Sequence, residues 1–195
     1  MKRVLFLQSR GHTLIEVIIS IGILTIGIIG AIHLQLASIR AARHSHFYST
    51  AVTLASELTE EIRSNSDQVG SENTIELYSH ITFDAKLDSS SSSLPSGHCY
   101  SSSANCTSSM FAGAFISDWL KRVALALPAA RVVVCNDDDP YDAAKNALRW
   151  ECTGGDKDNL VIKIGWQSTS DDALTSEQRG QVFPLYAASV LSFGK

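Results

Sequence analysis

Residues 11–36 read GHTLIEVIISIGILTIGIIGAIHLQL, and this stretch decides how the rest of the 195-residue chain is organised. From Val17 to Leu36 there is no acid or base except His33. About twenty helical residues at 1.5 Å each span about 30 Å, the thickness of a bilayer's hydrocarbon core. The preceding residues, MKRVLFLQSR, carry Lys2, Arg3 and Arg10 and no acid. That charge keeps the N-terminal end cytoplasmic and places the remainder across the membrane. A secretory signal peptide puts its apolar stretch before a small-residue cut. Here the suspected cut, after Gly11, comes first, so cleavage leaves the apolar stretch on the mature chain.

Glu16 stands at the edge of the apolar run. A carboxylate there is costly to bury and marks a role, the bland alternative being a Glu in interfacial water. Gly11-His12-Thr13-Leu14-Ile15-Glu16-Val17 resembles the type IV prepilin motif, a glycine, then an aromatic residue or Met, then T-L-I-E. His12 stands where that family usually has Phe or Met. The resemblance implies that a prepilin peptidase cuts after Gly11 and methylates the new N-terminus at His12. It also implies that Glu16 docks each subunit onto the N-terminal amine of a filament neighbour. Among packed apolar helices such a pair lies in low dielectric, and removing one partner costs about 3–5 kcal/mol.

The helical pattern continues beyond the span. Ile32, Leu36, Ile39, Phe47, Ala51, Leu54, Leu58 and Ile62 recur at steps near three and four, with Arg43 interrupting the stripe. One helix is therefore expected from about residue 13 to 63, with Ser64-Asn65-Ser66 as its stop. Gly22, Gly27 and Gly30 let other helices approach the first part closely. The second part needs a globular domain against its stripe. The expected divisions are a leader at 1–11, a membrane or filament-core half at 12–36, an amphipathic half at 37–63 and a periplasmic domain at 64–195.

In that domain Ser89–Ser93 and Ser101–Ser103 have loop chemistry, and a strand is expected near Thr74–Phe83. Phe115, Ile116, Trp119, Leu120, Val123 and Leu127 share one face of a helix over Phe111–Leu127, which Pro128 ends. Strands are expected at Arg131–Asn136 and at Leu148–Cys152, where Leu148, Trp150 and Cys152 alternate with Arg149 and Glu151. Leu160–Gln167 has the alternation of a half-buried strand, and Val182–Phe193 is expected to add an edge strand blunted by Pro184. The fold class is α+β: a long N-terminal helix packed on a small antiparallel sheet with one extra short helix. The pilin resemblance implies the same arrangement. DWLKRVALALP, VVVCNDDD, RWEC and NLVIKIGWQ are similar to the PilV group of minor pilins, which narrows it further.

Net charge is −4, and with the basic leader set aside the remainder is more acidic still, against the basic footprint of a nucleic-acid binder. Cys99, Cys106, Cys135 and Cys152 all follow the apolar segment and include no C-x-x-C pair. An even count beyond a membrane anchor points to disulfides in an oxidising compartment. Three pairings are open, and the sequence-local one, Cys99–Cys106 with Cys135–Cys152, is expected. His33, His44 and His46 invite a metal, but His44 and His46 do not share a helix face and no carboxylate or cysteine completes a set nearby, so surface histidines are expected. Asn136, Asp137, Asp138 and Asp139 with Asp156, Asp158 and Asn159 invite calcium. Pro140 breaks the ligand spacing, and a solvated acidic turn is the expectation. Gly154-Gly155 is a turn, with no phosphate-loop lysine following. No catalytic constellation and no cofactor are expected.

The resemblance implies a low-copy pilin that helps to start or cap a type IV pilus, near its tip. Its implied partners are prepilin peptidase, the inner-membrane assembly platform, other minor pilins, the major pilin and, as a further candidate, a tip adhesin. The alternatives are a minor pseudopilin of a type II secretion system and a membrane-anchored periplasmic binding protein that never polymerises.

Overall fold

The computed structural model describes residues 13–66, 72–85, 99–101, 104–154, 159–167 and 184–191. The chain divides into two compact units, one up to Ala42 and one from Arg43 onwards. The helix α1, Leu14–Ser66, runs through the division. In the first unit every described side chain is exposed. By length and composition this is a helix able to cross a membrane, with a mean hydropathy of 2.5 in its most apolar window.

The second unit is a two-layer α+β domain. It adds α2 (Glu72–Ser79), β1 (Ile81–Asp84), α3 (Ser108–Ala126), β2 (Arg131–Asn136), β3 (Tyr141–Asp142), β4 (Ala147–Leu148), β5 (Leu160–Gly165) and β6 (Pro184–Leu191). The main sheet is antiparallel in the order β1-β2-β5-β6, and β3 pairs with β4 in a separate two-stranded ribbon. The register puts Ile81 beside Val134, Phe83 beside Val132, and those two valines beside Ile162 and Ile164. Period-two alternation then gathers all six on one face. Ala51, Leu54, Ala55, Leu58 and Ile62 of α1 and Ile116, Trp119, Leu120 and Val123 of α3 belong to the same core.

Polar contacts fix how the helices lie on that core. Trp119 donates its indole N–H to the Leu54 carbonyl at 3.0 Å. The Arg122 guanidinium grips both oxygens of Glu57 at 2.6 and 2.7 Å. At the other end of α1, Arg63 donates to the Val190 carbonyl of β6, and Asn65 donates to the buried Tyr78 hydroxyl. Thr107 caps α3 by accepting from the Met110 N–H, and Pro128 follows its end.

Three sequence expectations need correction. Thr74–Phe83 is not one strand: its first part is α2, which buries Tyr78, and only Ile81–Asp84 joins the sheet. Leu148–Cys152 is no sheet strand either, because only Ala147–Leu148 pairs, and with Tyr141–Asp142. Residues 150–152 spend their groups on the face of the main sheet instead. Finally, β5 is buried on both faces rather than one, since it is a central strand with the core beneath it and that same loop above it.

Candidate functional site

Two places carry chemistry, the start of α1 and the outer face of the sheet. Gly11 and His12 lie outside the described residues. Glu16 sits in the first turn of α1, where a negative charge is favoured by the helix dipole. Its N–H meets the Thr13 carbonyl at 3.0 Å, and Val17 closes the first full turn onto the same oxygen. Thr13-x-x-Glu16 is also the spacing of a capping box, a local reason for α1 to begin here that the motif reading alone passes over. Beyond it Ser20 and Thr25 turn their hydroxyls back onto the carbonyls of Glu16 and Gly22. A Cβ added at Gly22, Gly27 or Gly30 would meet nothing within 4 Å in the single chain.

Residues 7–32 match the prokaryotic N-terminal methylation motif, which is type IV prepilin-like. The match covers the residues just before Gly11, Gly11 itself, Glu16 and most of the apolar run. No curated protein and no solved structure matches the chain.

The histidines His33, His44 and His46 lie exposed on α1, and no cluster of three potential metal ligands occurs among the described residues. Asp156, Asp158 and Gly155 lie outside those residues. The four cysteines are bonded as Cys99–Cys106 and Cys135–Cys152, with Cα atoms 5.8 and 6.3 Å apart. Cys135 and Cys152 are not on paired strands. The bond joins β2 to a loop lying across its face.

The acidic turn differs most from expectation. Asp137 is not solvated: it is 1% exposed, beside a Lys163 that is 0% exposed. Lys163 Nζ pairs with Asp137 Oδ2 and donates to the Glu151 carbonyl at 2.7 Å. The other carboxylate oxygen accepts from the Thr153 hydroxyl at 2.7 Å, the Thr153 N–H at 3.3 Å and the Asp139 N–H at 3.0 Å. Burial pushes the Asp137 carboxyl up. Lys163, Thr153 and the Asp139 N–H more than offset this and hold it below the usual carboxylate value. The Asp137 carboxylate is thus paired with an internal ammonium rather than with solvent.

Gly154 completes the knot. Its N–H meets the Asn136 carbonyl at 3.2 Å, and a Cβ there would lie 2.7 Å from Asn136 C and 2.8 Å from Asp137 N. Those are backbone atoms and cannot swing aside. Gly154→Ala is therefore expected to cost about 1–3 kcal/mol, seen as a lower urea midpoint with an unchanged slope. A midpoint equal to wild type would show that the loop has room there.

Next to this knot runs an open groove of about 840 Å³, lined by Tyr141, Leu148, Arg149 and Trp150 on one side and by Pro184 and Leu185 on the other. Neither the groove nor Lys163 was singled out from the sequence. A lysine at an alternating strand position reads as solvent-facing, and its partners lie 12 and 26 residues away in the chain.

Proposed function

We propose that this chain is a minor pilin: a low-copy subunit, cut after Gly11 and methylated at His12, that helps to initiate or cap a type IV pilus. The observation that carries this reading is a methylation motif running directly into the apolar first part of α1, whose side chains from Leu14 to Ala42 are all exposed in the single chain. Such a surface needs lipid or other apolar helices around it, and a prepilin-type subunit meets both in turn: lipid before assembly, neighbouring subunits after it. The α+β domain then rides outside the membrane, where its two disulfides persist. The expected partners are prepilin peptidase, the assembly platform, the major pilin and other minor pilins.

The test is the mature N-terminus together with the companions of the tagged chain in sheared filaments and in membranes. A mature chain beginning at a methylated His12, recovered with pilins and a tip adhesin, is the expected result. Recovery with secretion-system components instead would make it a pseudopilin. A chain that keeps residues 1–11 and has no filament companions would overturn both.

Glu16 offers a sharper test. The proposal gives it the role of docking onto a neighbour's amine, so Glu16→Ala should lower the filament-to-membrane ratio of this subunit without changing its cleavage. Glu16→Gln separates two physical roles. Glutamine serves as well as glutamate in a capping box, but it carries no charge. A docking role predicts that Gln is nearly as poor as Ala and that Asp partly rescues. Wild-type ratios for Gln would make Glu16 a helix-start residue only.

A further inference from the structure

The loop from Asp137 to Thr153 lies over the outer face of the sheet, and three consecutive residues near its end tie it down. The Arg131 guanidinium lies over the Trp150 ring, 4.5 Å from its centre. Glu151 gives its carbonyl to Lys163, and Cys152 is bonded to Cys135. Arg131, Cys135 and Lys163 share one sheet face, because β2 and β5 pair Arg131 with Gly165 and Cys135 with Val161. At the loop's start, Asp137 reaches across to Thr153 and Lys163. The domain core takes no residue from 137–153 among those described. Cys152 is exposed, whereas Cys135 is half-buried.

We propose that residues 137–153 form a redox-latched strap. The Cys135–Cys152 bond and the buried Lys163–Asp137 pair hold as one unit. A dithiol that reduces the bond releases the strap, exposes the pair and dismantles the groove, while the helices and the rest of the sheet remain.

The chemistry balances without another reactant. A thiolate of the dithiol attacks the exposed Cys152 sulfur, and Cys135 leaves as a thiolate and takes a proton. The reductant's second thiol then resolves the mixed disulfide and frees Cys152. The protein gains two electrons and two protons, and the dithiol becomes a disulfide.

The coupling follows from placement. A fully buried ammonium persists only with its partners in place. One partner, the Glu151 carbonyl, is adjacent to Cys152, and the other, Asp137, lies two positions past Cys135. Freeing Cys152 lets the Glu151 carbonyl leave and water reach Lys163. Linkage makes the effect mutual, so the ion pair in turn protects the disulfide.

The test uses the full chain in detergent micelles, reduced with dithiothreitol and labelled with an alkylating agent and then with a small amine-acylating ester. Mass spectrometry reads both labels. Alkylation of Cys152 and Cys135 should raise acylation of Lys163 by about tenfold or more, the scale of a typical coupling. Far-UV dichroism should keep its helical signal, and a Cys99→Ser/Cys106→Ser chain should behave in the same way. In Lys163→Ala, reduction of Cys135–Cys152 should be faster by a similar factor. A Lys163 that stays unlabelled after both cysteines are alkylated would overturn the proposal. So would loss of the whole helical signal on reduction, which would mean that the domain opens as one body and no strap exists.

Discussion

A Gly11→Leu chain is expected to accumulate uncut in the membrane and to be missing from sheared filaments. Two separate physical reasons lead there. The peptidase reading requires a small residue before the cut, and a branched side chain at that position blocks it. The uncut chain then also keeps Lys2, Arg3 and Arg10 next to an apolar helix. Each such charge costs about 2.5–3.5 kcal/mol at the centre of an apolar span on insertion scales, so an unpartnered leader does not enter a helix bundle cheaply. The new amine at His12 is never made either, and the proposed pairing with Glu16 is lost with it. Intact mass of membrane and filament fractions reads the outcome: all precursor and no mature form in the variant, mature form in both fractions for wild type. Mature protein from Gly11→Leu beginning at residue 12, or precursor in filaments at the wild-type ratio, would remove the leader from the mechanism.

What the sequence disclosed, and what it hid, has a consistent physical cause. Long periodic segments were legible. The run from Leu14, the Ala51–Leu54–Leu58–Ile62 stripe and the Ile116–Trp119–Leu120–Val123 face each repeat over several turns, and all but the first are buried as their period requires. Short segments were not. Thr74–Phe83 holds Ile75, Leu77, Ile81 and Phe83 at even steps, which suits a strand, yet its part up to Ser79 belongs to a short helix, Glu72–Ser79, that sinks Tyr78 under Asn65. Over so few residues periodicity cannot separate the two. The candidate start of α1 was readable because it is one contiguous string. The outer face of the sheet was not, because its parts, Arg131, Asp137, Glu151, Thr153 and Lys163, are joined only by the fold. Asp137 in particular sits in a run of three acids, and nothing local distinguishes the buried one from its solvated neighbours.

That buried pair gives the largest stability prediction. Asp137→Ala is expected to cost about 3–5 kcal/mol, because it leaves the Lys163 ammonium buried without its counter-charge. Lys163→Met should cost less. It removes the ammonium outright, and the remaining carboxylate still accepts from Thr153 and from the Asp139 N–H. The double variant Asp137→Ala/Lys163→Met should therefore recover part of the single loss, with a coupling energy of at least about 1 kcal/mol. The acid side supplies an independent reading. The folded-state carboxyl of Asp137 lies below the value near 3.9 of an unfolded chain, so in acid the unfolded state binds the extra proton. Stability then rises with pH: the contribution is complete above about pH 5 and disappears as pH falls from about 4 through the folded-state value. Asp137→Asn removes that titration and should flatten this part of the acid limb, at the cost of a lower plateau at neutral pH. Urea midpoints from pH 2 to 7 for the wild type and the four variants decide it. Additive single losses, or an Asp137→Ala cost below about 1 kcal/mol, would mean that water reaches Lys163 and that the pair is a surface bridge of little consequence.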